Sequence, residues 1–290
     1  MSPYRTGVVA ALGAYVIWGL VPIFFKQLGG VPALEIIAHR ILWSLLFMLV
    51  LLGALGRLGA AWGAARNPRT LAQAALAAAL VMTNWFTFVW AVNADRILET
   101  SLGYFITPLL SILLGVVVLH ERLRPRQWLA VALALAGVAI EGWRIGGLPW
   151  VSLVLAGTFG SYGLVRKQLP VDAPTGLLLE TASATPFALI YLLWLGSSNH
   201  FGSLASQDAL LIASGAVTAI PLLLFAIGAR RLPLATMGFL QYVAPSLSFA
   251  VAIFFYGEPM NAPRLLAFAA IWAGLALYTT DMWLGRRVSH

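Results

Sequence analysis

Tyr104-Phe105-Ile106-Thr107-Pro108-Leu109-Leu110-Ser111 and, 137 residues further on, Gln241-Tyr242-Val243-Ala244-Pro245-Ser246-Leu247-Ser248 carry a proline and a later serine in matching places. Outward from these two stretches the likeness continues. Pro108, Glu121 and Gly137 recur as Pro245, Glu258 and Gly274 at the same shift. Upstream, Ala91, Ala94, Arg96 and Gly103 match Ala226, Ala229, Arg231 and Gly238 at a shift of 135. Further back, Lys26-Gln27-Leu28 matches Lys167-Gln168-Leu169, and Glu35 roughly matches Glu180. One such match means little in an apolar chain, but their common order along two halves marks an internal repeat. The halves divide at 1–145 and 146–290.

The repeat is written in membrane-grade sequence. Hydrophobic residues make up 61% of the 290 positions and charged residues only 10%, against about a quarter charged in soluble domains. A spanning helix needs roughly 20 mostly apolar residues. Ten stretches meet or approach that: 6–28, 34–56, 69–92, 97–119, 126–143, 148–167, 176–196, 207–229, 234–256 and 263–284. The fifth is short and the second carries Glu35, His39 and Arg40. Turn chemistry fills most breaks, as in Gly29-Gly30-Val31-Pro32, Asn67-Pro68 and Gly146-Gly147-Leu148-Pro149. The first apolar run is longer than a signal-peptide core and is expected to be a retained helix.

Basic residues set the expected orientation. With the N-terminus inside, the inner segments hold Arg5, Arg57, Arg66, Arg69, Arg122, Arg124, Arg126, Arg166, Lys167, Arg230, Arg231, Arg286 and Arg287. The outer segments hold Lys26, Arg96, Arg144 and Arg264. That imbalance places both termini in the cytoplasm of an inner (plasma) membrane, multi-pass protein. Five spans per half is an odd number, so the second half should lie upside down relative to the first. The expected fold is therefore all-α and integral to the membrane, with ten transmembrane helices in two inverted five-helix repeats. Inverted repeats are characteristic of secondary transporters, with the solute site at the repeat interface.

Several longer stretches carry a family resemblance. They are Ala14-Tyr15-Val16-Ile17-Trp18-Gly19 with Pro22 and Phe25-Lys26, His39-Arg40 with Trp43-Ser44, and Asn84-Trp85 with Trp90-Ala91-Val92-Asn93. Ser101-Leu102-Gly103-Tyr104-Phe105-Ile106, Tyr162-Gly163-Leu164-Val165-Arg166-Lys167, Gln241-Tyr242 with Pro245, and Tyr256-Gly257-Glu258 complete the set. Together they resemble the RarD-type proteins of the EamA branch of the drug/metabolite transporter superfamily, over nearly the whole chain. The resemblance implies two EamA repeats and a group that includes amino-acid and metabolite exporters. His120-Glu121-Arg122 departs from the Gly-Glu-Arg usual in that family.

Candidate solute-path residues follow from polarity and helical spacing. Tyr104, Thr107, Ser111 and Gly115 form one stripe, and Gln241, Pro245 and Ser248 its counterpart. A helical proline frees a carbonyl, which in lipid needs a partner from protein or a wet cavity. Tyr104 and Gln241 are expected to offer hydrogen bonds to solute, while Ser111 and Ser248 are expected to pack helices. Asn84, Trp85, Trp90 and Asn93, together with Tyr15, Trp18, Tyr162 and Tyr242, suit a flat or amphipathic organic solute. Trp18, Trp85 and Trp90 fit either a cavity or an interfacial belt, and Trp143, Trp150 and Trp283 fit the belt.

Charges within the spans mark the second group, because each costs a few kcal/mol at the bilayer centre. Glu35 and His39 share a helix face beside Arg40, and Glu180 lies at the corresponding place in the seventh span. They are candidates for coupling or gating. The structural alternative is ion pairing, of Glu35 with Arg40 or of Glu180 with Arg166 or Lys167. Glu121 and Glu258 fall at helix ends as anchors or gate pairs.

Other chemistries lack their residues. There is no cysteine, and the four histidines form no catalytic or metal-binding constellation with the acids. Neither a P-loop nor a channel selectivity ring occurs. The basic balance, 18 Lys and Arg against 10 Asp and Glu, sits in loops and not on a nucleic-acid-binding face. The expectation is a cofactor-free secondary transporter of small organic solutes such as amino acids, exporting by alternating access around a central cavity. Multidrug or chloramphenicol-type efflux is the alternative, and an integral-membrane enzyme a more distant one. The sequence sets neither coupling ion nor oligomeric state, and a monomer is compatible with it.

Overall fold

The computed structural model describes residues 2–143, 149–256 and 262–287. The expectations for Arg144, Gly146-Gly147-Leu148, Gly257-Glu258 and His290, and for the side chains of Tyr256, Arg264, Trp283, Arg286 and Arg287, fall outside what is described.

Helices account for nearly all of it: Pro3–Lys26 (α1), Ala33–Ala54 (α2), Leu58–Ala65 (α3), Pro68–Asn93 (α4), Ile97–Val117 (α5) and Pro125–Gly142 (α6). Then come Trp150–Gln168 (α7), Ala173–Leu195 (α8), Ala205–Arg231 (α9), Leu234–Gln241 (α10), Val243–Tyr256 (α11) and Ala262–Arg287 (α12). Among the described residues eight helical runs are long and apolar enough to cross a membrane. They are α1, α2, α4, α5, α8, α9, the α10–α11 run and α12.

Starts are written in cap chemistry. The side chains of Ser2, Asn67 and Asp172 each accept a backbone N–H from the first turn of α1, α4 and α8. A proline stands in the first helical positions of each, where no N–H is needed. Two features differ from the sequence expectation. A short helix, α3, fills the break after α2, and the apolar run at 234–256 is interrupted at Tyr242 into α10 and α11.

Packing follows a regular scheme. α1 lies against α9 and α11, α2 against α8 and α9, α4 against α7 and α8, α5 against α7 and α10, and α6 against α12. Small residues permit the close crossings, as is usual where lipid supplies no hydrophobic drive. A Cβ on Gly137 would lie 2.7 Å from the Ala267 carbonyl, and one on Gly274 would lie 2.8 Å from the Ala130 carbonyl. Gly19 meets Leu247 at 2.7 Å, and Gly160 meets Leu110 at 3.2 Å. In each case the second contact joins residues offset by 137 or 141 positions from those of the first.

The ends of the bundle are tied by polar contacts. At the end carrying the start of α1, Arg57 pairs with Asp172, and Lys167 Nζ donates to the Ala229 and Leu232 carbonyls. Glu121 there accepts the Leu234 and Ala235 N–H groups at 2.6 and 2.9 Å. At the far end the segment between α8 and α9 folds over the start of α2. Its His200 backbone N–H and ring Nδ1 meet Glu35 at 2.7 and 2.8 Å.

Candidate functional site

A small cleft lies between α2, α4, α8 and α9. Its apolar walls include Ile41, Val81, Met82, Trp85 and Leu222, and its polar groups are Ser44, Glu180, Thr181 and Thr218. Ser44 and Thr181 spend their hydroxyl hydrogens on the Gly215 and Leu177 carbonyls.

Glu180 lines this cleft, and Arg40 contacts two of its lining residues, Thr218 and Trp85. Glu180 and Arg40 are each seven positions beyond the first residue of their helices, Ala173 and Ala33. At 1.5 Å per residue, each is about 10 Å from that helix end. Glu180 belongs to a buried triad. Its Oε2 is 3.5 Å from Arg166 Nη1 and accepts the Tyr162 hydroxyl at 3.4 Å. Arg166 Nη2 also donates to the Ala173 carbonyl at 3.1 Å. Arg166 is 1% exposed and Glu180 2%, so the two charges neutralise each other away from water. Gly176 makes room, since a Cβ there would lie 2.6 Å from Arg166 Nη1.

Arg40 is held differently. Its Nε donates to Thr218 Oγ1 at 2.8 Å, and its guanidinium carbon lies 4.3 Å from the Trp85 ring and 4.7 Å from the Phe25 ring. No carboxylate among the described residues pairs with it. Tyr104, 49% exposed, lies within electrostatic reach of the same guanidinium. Thr218 and Trp85 both line the cleft and both hold Arg40.

The aromatic candidates divide. Tyr15, Trp18 and Tyr162 cluster with Phe159 and Phe225, at ring separations of 5.5–6.2 Å. Tyr15 is fully buried, its hydroxyl donating to the Met237 carbonyl at 3.1 Å. Tyr242 likewise donates to the Phe105 carbonyl at 3.0 Å. Phe105 and Tyr242 are themselves 137 positions apart in the sequence. Trp90 packs against Trp150 at the far end, with ring centroids 5.2 Å apart and planes tilted by 46°, and Asn93 is exposed there. Trp143 is 90% exposed.

The amides divide too. Asn84 Nδ2 is taken up by the Leu155 carbonyl at 2.9 Å and Thr158 Oγ1 at 3.0 Å, tying α4 to α7. Gln241 is buried at the α10–α11 break, beside α5.

Glu35 and His39 do share a face, but it turns to the α8–α9 segment. Glu35 meets His200, and the His39 ring stacks on Phe201 at 5.1 Å with neither nitrogen hydrogen-bonded. Arg40, five residues after Glu35, points elsewhere, as helical geometry requires. Glu35 therefore pairs with His200 and not Arg40. Thr218 and Phe201 were not singled out in the sequence; a hydroxyl on α9 and a ring in a loop carry no sign of the partner they meet. No group of three or more His, Asp or Glu suited to a metal occurs among the described residues.

Comparison with known proteins gives concordant results. The model of the EamA-like transporter family matches residues 5–141. An uncharacterised transporter of Pseudomonas aeruginosa is 49% identical over 286 residues, covering 98% of this chain and 96% of that one. The protein RarD of Escherichia coli is 46% identical over 289 residues, covering 98% of each. A crystal structure at 20% identity, with a TM-score of 0.75, covers 96% of this chain and 98% of that one, and shares the fold.

Proposed function

The chain belongs to the EamA-like transporter family in its RarD-type branch, and from that premise we propose that it exports small organic solutes such as amino acids by alternating access around the α2–α4–α8–α9 cleft. It is a multi-pass membrane transporter and not an enzyme. Its partners are a small solute and the lipid bilayer. The observation that carries the mechanism is the ownership of the cleft. α2 and α4 come from the first half, α8 and α9 from the second. A rocking motion between halves would change exposure of the cleft from one end to the other.

Ten spans in two inverted repeats support that motion. Counting α10–α11 as one broken span, and adding the shorter α6 and α7, gives five spans per half. The paired crossings of Gly137 with Ala267 and of Gly274 with Ala130 are reciprocal along antiparallel helices. Reciprocal contacts of this kind are what a two-fold axis perpendicular to both helices produces. The Gly19–Leu247 and Gly160–Leu110 contacts fit the same operation. The loop arginines support a cytoplasmic position for both termini at the inner membrane.

Purified protein in liposomes is expected to take up one class from a labelled panel of amino acids, organic acids, sugar phosphates and chloramphenicol, saturably. An imposed pH gradient tests coupling. Uptake of chloramphenicol alone would move the assignment to drug efflux. No saturable uptake of any solute by folded protein would remove the transport mechanism proposed here.

A further inference from the structure

Arg40 is a cation within a membrane-spanning helix, and among the described residues no carboxylate pairs with it. A guanidinium inside a membrane span is costly, and such residues normally pair. Glu180, which lines the same cleft, is neutralised by Arg166 inside its own half. Arg40 instead has two aromatic faces and one hydroxyl around it. A guanidinium has five N–H donors in a planar fork, and among the described residues only the Nε–H is taken, by Thr218. The terminal nitrogens are neither hydrogen-bonded nor sealed from open space. Phe25 and Trp85 hold the plane of the fork, which leaves its outer edge preorganised to meet two oxygens side by side.

We infer that Arg40 is a solute-binding residue, and that the transported solute carries an oxyanion, foremost a carboxylate, which the free edge of its guanidinium holds beside Trp85. This rests on the transporter reading above and narrows its substrate class. The neighbouring apolar walls of the cleft, Met82, Val81 and Leu222 with Trp85, suit an apolar or aromatic body attached to that carboxylate.

The test uses full-length protein in detergent and matched probes. They are L-phenylalanine against L-phenylalaninamide, 3-phenylpropionate against its amide, L-leucine against L-leucinamide, and inorganic phosphate. Thermal stabilisation gives an apparent affinity for each. At least one carboxylate should bind wild type roughly 10- to 100-fold more tightly than its amide, the range for a charge-assisted contact. Arg40→Gln should erase that preference, and Arg40→Lys, which keeps the charge and loses the fork, should retain part of it. Both variants should show wild-type melting without probe; if Arg40→Gln does not, the Arg40→Lys result decides. Binding of phosphate alone would assign the site to phosphorylated solutes, still an oxyanion held by Arg40. Equal binding of acids and amides, a preference unchanged in both variants, or no stabilisation by any anion overturns the inference. Saturable liposome uptake of a neutral solute alongside such a result would leave the transporter assignment standing.

Discussion

Removing the Glu121 carboxylate should loosen the end of the bundle where α10 begins. Its two oxygens accept the N–H groups of Leu234 at 2.6 Å and Ala235 at 2.9 Å, the first two residues of α10. Both residues are 1% exposed, so these donors have little access to water once the carboxylate is gone. Hydrogen bonds to a charged group contribute about 1.5–3 kcal/mol each, and a carboxylate at a helix N-terminus adds roughly 0.3–1 kcal/mol. Water entering at the helix end takes part of this back, which puts Glu121→Ala at about 3 kcal/mol. Glu121→Gln keeps one acceptor and should cost about half as much.

Gly115 supplies an internal check on the same contact. A Cβ there would lie 2.6 Å from Glu121 Oε2 and 3.2 Å from the Ala235 nitrogen. Gly115→Ala should therefore displace the carboxylate that Glu121→Ala removes. In a double-mutant cycle the combined effect should fall short of the sum by roughly 1 kcal/mol or more, as for residues in direct contact. Reversible unfolding in mixed micelles with rising SDS measures all four proteins. Glu121→Ala within about 0.5 kcal/mol of wild type, or strict additivity with Gly115→Ala, would refute the reasoning.

Four further outcomes are expected. Glu180→Ala should destabilise by about 3–5 kcal/mol, because it leaves the Arg166 guanidinium buried without its anion, and Arg166→Met with Glu180→Leu should recover much of that; the same SDS titration reads both. Gly137→Ala and Gly274→Ala should each cost about 1–3 kcal/mol by forcing α6 and α12 apart, and unequal effects would count against a reciprocal crossing. His200→Ala removes the ring contact to the buried Glu35 carboxylate, keeps the backbone N–H contact, and should raise proteolytic cleavage in the segment between α8 and α9, with intact resistance arguing against its role as a clasp. Because the chain has no native cysteine, Arg57→Cys and Ser206→Cys are unique labels. They should react with an impermeant reagent from the inside and the outside respectively, and labelling from one side only would contradict the topology.

Much of this architecture is legible along the chain, and the reasons for the rest are physical. A spanning helix is announced by its own composition, so the long runs from α1 to α9 fall within a few residues of the expected spans. The break at Tyr242 is not announced, because the residues around it are as apolar as those of an unbroken helix, and the Tyr242 contact with the Phe105 carbonyl depends on tertiary packing. α3 is too short to register as a span and too apolar to register as a loop. Among site residues, chemistry was legible and direction was not. Asn84 was visible as a costly amide, but its commitment to Leu155 and Thr158 needed the α4–α7 crossing. The pairing of Glu180 with Arg166 was among those the sequence offered, since both sit near the turn between α7 and α8. That Arg40 would meet Thr218, 178 residues away, was beyond any local pattern.

The central claim is that one cleft, walled by both halves, opens to each side of the membrane in turn. A single cysteine at Thr181, which lines that cleft, tests it most directly in oriented vesicles with an impermeant thiol reagent applied from either side. The account predicts reaction from both sides, at rates that solute shifts in opposite directions. Reaction from one side only, with and without solute, would contradict alternating access at this cleft.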